Sequence, residues 1–313
     1  MTRSSAPEPS RDNDTADETA APHDTLPCVL SFNASDPTGA GGVVSDAMVI
    51  ASIGAHALPV ITGAYVRDTR EIMGHASLGD DAVAEQAGAV AEDIPLHAIK
   101  IGFVGSAEAV AAIAAFVSDS PAVPVVAYMP DLSWWSEDEI DNYLDAFREL
   151  LLPQVAVLVG NNTTLRHWLL PESTTDRRAR ATDLARAAGE LGVSYVLVTG
   201  IPAVGDQLGN VLASAQGELF SQSYERIDAG FLGAGDILSA ALTALIATGS
   251  ELTEAVAEAL QYLDQALDHG FRPGMGRAVA DRLFWAESDD ADSADDDAPP
   301  SFDIPHPFNE TKH

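Results

Sequence analysis

Gly233-Ala234-Gly235-Asp236, running directly into Ile237-Leu238-Ser239-Ala240-Ala241-Leu242, is the stretch on which the reading of this chain turns. A turn of small residues opening onto a helix aims several unpaired backbone N–H groups at one spot, where an anion can sit. Asp236 then falls in the first helical turn, beside that spot. Phosphoryl transfer to an alcohol needs both features: a carboxylate to take the hydroxyl proton and a cradle to steady the moving charge. By itself the tetrapeptide is equally compatible with an aspartate that caps a buried helix.

Outward from this turn, short apolar runs alternate with amphipathic stretches. Residues 28–33, 57–66, 97–103, 123–128, 155–159 and 195–199 are brief, rich in β-branched side chains and followed by small or polar residues, so they predict strands. Residues 42–53, 80–91, 107–116, 137–151, 179–191 and 235–248 predict the intervening helices. Leu252, Val256, Ala259, Leu263 and Leu267 mark one face of a further helix. Residues 210–214 and 218–223 suit an antiparallel hairpin. Alternating strands and helices imply a mostly parallel sheet covered on both faces, an α/β domain over 26–286 without internal repeat. In such sheets ligands bind beyond the carboxyl ends of the strands. The loops near Asn33, Phe103, Val159 and Thr199 should therefore line one crevice that Asp236 also reaches.

Composition narrows the partners. The chain has 313 residues, with 48 acidic against 16 basic side chains and a formal net charge of −32. That field repels nucleic acid and anionic membranes. Lysine occurs only as Lys100 and Lys312, so no basic patch is available. The one cysteine, Cys28, excludes a disulfide within the chain, fits a reducing cytoplasm and reads as a strand residue. The first residues hold no apolar segment and predict no signal peptide, and no apolar run is long enough to span a bilayer. Residues 1–25 and 287–313 are rich in Ser, Pro, Ala, Asp and Glu, and are expected to be disordered acidic tails. The histidines show no metal-ligand spacing; Trp134-Trp135 suits covering the crevice or stacking on a ring, and more readily covering the core at a helix start.

Two further segments complete a pattern. Asn33-Ala-Ser-Asp36-Pro37-Thr38-Gly39-Ala40-Gly41-Gly42-Val-Val-Ser-Asp46 lets the backbone approach a ligand closely before a helix begins. Ile99-Lys100-Ile101-Gly102-Phe103-Val104-Gly105 lies between it and the Gly233–Asp236 turn. In this order and at these separations the three resemble the hydroxymethylpyrimidine and phosphomethylpyrimidine kinases of the ribokinase superfamily, which make thiamine precursors. Those enzymes carry an S/T-D-P-S-G-G-A-G…D loop, a K-I-G-M-L strand and a G-T-G-C or G-A-G-D turn. Residues 271–277, Phe-Arg-Pro-Gly-Met-Gly-Arg, are similar to the family's closing glycine segment, so the resemblance spans roughly residues 28–285.

The resemblance implies a ribokinase-like three-layer α/β/α fold and an ATP- and Mg²⁺-dependent kinase of a primary alcohol, hydroxymethylpyrimidine or its monophosphate. It implies a cytoplasmic homodimer with no nucleic-acid or membrane partner. Asp236 would be the base and Gly233, Ala234 and Gly235 the anion hole. Asp36, Gly41, Gly42, Asp46, Arg67 and Val104 would meet the substrate. Asn161, Thr199, Gly200 and Gly235 would meet the nucleotide. Asp236 replaces the cysteine common in the pyrimidine kinases, and a carboxylate is the better proton acceptor at neutral pH.

Other positions depart from the family pattern. Arg67 stands where the family has a substrate-gripping glutamine; it has donors only, which suits either a phosphate clamp or an ordinary strand-end role. Thr164 replaces a glutamate that helps place Mg-nucleotide, Thr199-Gly200-Ile201 replaces a K-G-G loop, and Gly230-Phe231-Leu232 replaces polar residues ahead of the anion hole. Tyr128-Met129-Pro130-Asp131 stands for Asp-Pro-Val-Met, leaving Asp131 as a candidate to take over the lost acid toward a metal. These losses keep a second reading open, a catalytically weakened sensor of pyrimidine or nucleotide, and a third, a kinase of pyridoxal or another small alcohol.

Overall fold

A computed structural model describes residues 26–171 and 179–286. The two acidic tails lie outside the described residues. The apolar runs form nine strands in one sheet: β1 (Cys28–Ser35), β2 (His56–Arg67), β3 (Ile72–Ser77), β4 (Ala98–Ile101), β5 (Val125–Met129), β6 (Val157–Asn161), β7 (Tyr195–Pro202), β8 (Gln207–Ser214) and β9 (Gly217–Glu225). Their order is β3-β2-β1-β4-β5-β6-β7-β8-β9. The six strands from β2 to β7 in that order are parallel, and β3, β8 and β9 add antiparallel edges. The hairpin expected over 210–223 is thus β8–β9, longer at both ends.

Side chains alternate across each strand, and this sorts them into two cores. Leu30, Phe32, Ile99, Ile101, Val125 and Ala127 pack under α2 (Asp80–Ala91), α3 (Ala107–Ser118), α4 (Glu137–Ala146), α5 (Asn162–Leu169) and α6 (Ala181–Glu190). Val29, Ala98, Val126, Val157 and Leu197 pack under α1 (Gly42–Ile53), α7 (Ala234–Ala247) and α8 (Leu252–Asp268). Helices cover both faces, giving the ribokinase-like three-layer α/β/α fold expected from the sequence.

Besides a short strand pair, β3 and α5 lie where the sequence reading had no element. β3 is an exposed edge strand turning back on β2, and α5 starts at Asn161, whose side chain accepts from the N–H of Thr163 as an N-cap. The helix expected over 137–151 is α4 followed by a π-helical turn, Phe147–Leu151, and it ends at Pro153 in a 3-10 turn. A short parallel pair, β10 (Phe231–Leu232) with β11 (Ala278–Val279), fastens the chain's last described segment beside the Gly233 turn.

Candidate active site

The same alternation puts Ser31, Asn33 and Lys100 on the sheet face below α1 and α7, with Ser31 and Lys100 opposite each other across the β1–β4 pair. In an apolar layer such groups need partners, and the two helices provide carboxylates. Lys100 is completely enclosed. Its Nζ donates to Asp46 Oδ1 at 2.9 Å and Oδ2 at 2.8 Å, and to Asp236 Oδ1 at 2.8 Å. Asn33 Nδ2 donates to Asp46 Oδ2 at 3.0 Å and to Asp236 Oδ1 at 2.8 Å. Ser31 Oγ donates to Asp46 Oδ2 at 2.7 Å. The Asn33 carbonyl accepts the N–H groups of Ala34 and Phe103, which fixes the amide's orientation.

Asp236 stands in the first turn of α7, and Gly233 supplies the left-handed cap with φ 74°. A Cβ at Gly233 would strike the carbonyl of Ala40, so the loop after β1 and the turn before α7 touch backbone to backbone only because that position is glycine. Among the described residues, Asp236 Oδ2 receives one donor, the Gly42 N–H at 3.2 Å. Burial pushes the Asp236 carboxyl up, but Lys100, Asn33 and the Gly42 amide outweigh it and hold the group below the ordinary aspartate value. Asp46 goes the other way: burial and the neighbouring Asp236 charge prevail over Lys100 and raise it. Lys100 is held above its usual value, because the two carboxylates overcome the cost of burial.

A cavity of about 610 Å³ opens over this group at the carboxyl ends of the parallel strands. Gly41, Gly233, Ala234, Gly235 and Asp236 form part of its wall, with Tyr65 and Trp134 as aromatic lining and Asp131 opposite. Asp36 and Arg67 also line it, joined by an ion pair at 3.3 Å, and Thr38 donates to Asp36 from both N–H and hydroxyl. Arg67 is therefore tied to Asp36, with its Nε donating to the Asp68 carbonyl. A second cavity of about 190 Å³ runs under the β8–β9 hairpin and α8, lined by Gly200, Leu208, Asn210, Leu260 and Leu263. Asn161, Thr199 and Phe231 line both cavities and so mark their junction.

Most of the expected site residues thus line the larger cavity; Gly200 lines the second one, and Asp46, Val104 and Gly42 line neither. Asp46 and Val104 are enclosed, at 1% and 0% exposure, and neither lines the cavity. Asp46 projects from the buried face of α1 into the Lys100 cluster, and Val104, in the loop after β4, packs into the core beside Tyr143, whose hydroxyl accepts its N–H. Gly42 is buried as well and reaches the site only through its N–H on Asp236. The loop after β4, expected on the crevice, is drawn away; Gly105 and Ser106 line a separate surface cavity beside α4.

Tyr65, Tyr128 and Arg277 line the cavity without having been singled out from sequence. Tyr128 lies against Gly235 so closely that a Cβ there would enter the phenol ring, and burial together with the Asp236 charge pushes its hydroxyl well up. Trp134 does help to cover the core, stacking on Trp135 and meeting Phe103 edge-on, but it also faces the cavity. Tyr65 is stacked on Phe103 behind it. Arg277 lines the cavity from the segment after Gly276.

The family described as phosphomethylpyrimidine kinase matches residues 36–281. A hydroxymethylpyrimidine/phosphomethylpyrimidine kinase of Streptomyces coelicolor is 28% identical over 265 residues, covering 84% of this chain and 96% of that one. The protein of the same name from Mycobacterium tuberculosis is 28% identical over 277 residues, covering 85% and 97%. Among solved structures, an ADP complex of Bacillus subtilis pyridoxal kinase superposes with a TM-score of 0.74 at 19% identity, covering 84% of this chain and all of that one. A phosphomethylpyrimidine kinase of Clostridium difficile gives 0.61 at 22% identity, covering 75% and 98%. The chain belongs to the phosphomethylpyrimidine kinase family.

Proposed function

We propose that the protein transfers the γ-phosphoryl group of ATP to the primary alcohol of hydroxymethylpyrimidine or its monophosphate, with Asp236 as the base. The observation that carries this reading is Asp236 in the wall of the 610 Å³ cavity, its partly exposed carboxylate carrying one lightly hydrogen-bonded oxygen, Oδ2, beside the N-terminal amides of α7. As the acceptor oxygen forms its bond to the γ-phosphorus, its proton passes to the carboxylate. The bond from that phosphorus to the bridging oxygen breaks, and ADP leaves with the electron pair. The amides of residues 234–236 would hold the charge that spreads over the phosphoryl oxygens. Tyr65 and Trp134 offer flat apolar walls to a heteroaromatic ring. The second cavity, with Leu208, Leu260 and Leu263 around Asn210, suits a nucleobase, and its junction at Asn161 and Thr199 would carry the phosphates toward Asp236.

Among the described residues, no three His, Cys, Asp or Glu side chains gather as a metal site. A nucleotide-borne Mg²⁺ needs no such trio, because one or two carboxylates together with phosphate oxygens suffice. Asp131 is a lining carboxylate that would hold it, with Glu71 also on the cavity wall, and the ion would supply neutralisation of phosphate charge. Exposed Ile61, Val66 and Met73 on β2 and β3 favour a homodimer, to be tested by light scattering.

One observation favours a second reading, a binding protein with little turnover. The Tyr128 ring occupies the space over Gly235, beside the amides that would receive a phosphate. A single experiment separates the two: purified protein with Mg-ATP and hydroxymethylpyrimidine, ADP release followed continuously, and binding measured by calorimetry. Saturable ADP release that depends on the pyrimidine supports the kinase; binding without turnover supports the sensor; turnover of pyridoxal alone would redirect the acceptor.

A further inference from the structure

Lys100 is one of two lysines in the chain, and it is sealed under the site rather than open to it. All three of its ammonium hydrogens are spent on Asp46 and Asp236. One cation therefore serves two carboxylates, and the enclosed group carries one net negative charge. Asp236 Oδ1 is saturated by Asn33 and Lys100, whereas Oδ2 has only the 3.2 Å amide of Gly42. Gly41 keeps that oxygen accessible, since a Cβ there would stand 2.7 Å from it.

We propose that Lys100 and Asp46 are positioning residues for catalysis: Lys100 keeps Asp236 ionised and directs its free oxygen, Oδ2, at the acceptor hydroxyl, while Asp46 keeps that oxygen basic enough to take the proton. The charge balance gives the reason for two carboxylates. If Lys100 faced Asp236 alone, protonating Asp236 would leave an uncompensated buried ammonium, which is costly. With Asp46 present, protonating Oδ2 leaves a neutral Lys100–Asp46 pair. The transferred proton comes from the acceptor hydroxyl, and Lys100 keeps all of its own. This inference rests on the reading of Asp236 as the base.

Other ionisable groups stand around Asp236. Tyr65 from β2 and Tyr128 from β5 are both pushed up by burial, and both feel the Asp236 charge. Across the cavity mouth, Asp36 is paired with Arg67, and Asp131 lies beyond Tyr128. The cavity carboxylates Asp36, Glu71 and Asp131 are the same in parent and variants, so a difference between their pH profiles reports Asp236 and its two enclosed partners.

The test is the pH profile of kcat, from about pH 6 to 9, for four proteins. The unaltered enzyme should be flat. Lys100→Met with Asp46→Asn removes the cation and one carboxylate together, leaving Asp236 buried with no cation. Its kcat should rise about tenfold or more between pH 6 and 9, with the KM for the acceptor little changed. Asp46→Asn alone should lower kcat about tenfold or more at every pH, because the product state then contains a lone buried ammonium. A structural role would lower the melting temperature or the yield and leave the profile flat. Asp236→Asn separates the two claims: if it stays active, the reading of Asp236 as base is wrong. If it is inactive while the double variant stays flat and Asp46→Asn keeps full kcat, the roles of Lys100 and Asp46 are overturned. Should the double variant not fold, Asp46→Asn decides alone, and unchanged kcat refutes the proposal.

Discussion

Gly41→Ala would place a methyl group against the reacting oxygen without substituting any catalytic side chain. Gly41 has φ −135° and ψ −160°, extended backbone that alanine adopts freely, so no conformational strain confuses the result. Its new Cβ would lie 2.7 Å from Asp236 Oδ2, about 0.7 Å inside ordinary contact at 3.4 Å, and 3.6 Å from the Gly233 Cα. The carboxylate has little room to yield, since Oδ1 is held by Asn33 and Lys100 at 2.8 Å each. A misplacement approaching 1 Å costs on the order of 10²-fold in rate, roughly 2.7 kcal/mol of barrier. Weakening the Gly42 N–H bond to Asp236 adds about 1 kcal/mol of instability, or roughly 2–4 °C in Tm. The assay is ADP release with saturating hydroxymethylpyrimidine, beside a thermal melt. Gly39→Ala is the control: Gly39 has φ 69° and open space around its Cβ, so it tests backbone strain away from the carboxylate. A kcat for Gly41→Ala within about threefold of the parent would refute the placement of the acceptor against Oδ2.

Other perturbations test other walls of the site. Arg67→Gln breaks the 3.3 Å pair with Asp36 and leaves that buried carboxylate with Thr38 as its donor; a Tm loss of several degrees is expected, and the acceptor KM should shift more than kcat. Trp134→Ala removes an aromatic wall and should raise the KM for a heteroaromatic alcohol by about tenfold, the equivalent of roughly 1.4 kcal/mol of uniform binding; an unchanged KM would mean that the ring binds elsewhere. The Asp236 carboxyl is held low by Lys100, Asn33 and the Gly42 amide against the opposing effect of burial, so the stability it contributes is present at neutral pH and lost as pH falls through its folded-state value. Lys100 is held high, so its contribution persists to alkaline pH and is lost only above the ordinary lysine range. Thermal melts should therefore be flat near neutrality and fall in acid, with a shallower acid limb for Asp236→Asn; an equally steep limb in that variant would assign the loss to other carboxylates.

Much of the fold was readable because the parallel strands are buried on both faces and therefore appear as uninterrupted apolar runs. The Gly233–Asp236 turn was readable because a tight cap, close backbone approach and a helix entry all demand small residues at fixed spacing. β3 was not legible: Ile72-Met-Gly-His-Ala-Ser77 is an exposed edge with no apolar face, held mainly by its pairing with β2. α5 did leave a signal, since Asn161 is a good N-cap, but its helix spans only 8 residues, too short to show a clear period. Within the site, Lys100 was visible as part of a strand motif, while its partners come from residues 54 and 136 positions away. Such pairings depend on which strand face meets which helix, a tertiary fact that local spacing does not carry. Asp46 was read toward the substrate for the same reason. Tyr128 on Gly235 is likewise a contact between two distant segments, invisible in either one alone.

The central claim is that Asp236 takes the acceptor's proton, and its most direct test is single-turnover ADP formation by Asp236→Asn with Mg-ATP and hydroxymethylpyrimidine. The amide is nearly isosteric, so circular dichroism should match the parent while the rate falls about 10²- to 10⁴-fold. A rate within about threefold of the parent, in protein with unchanged circular dichroism, would contradict the account.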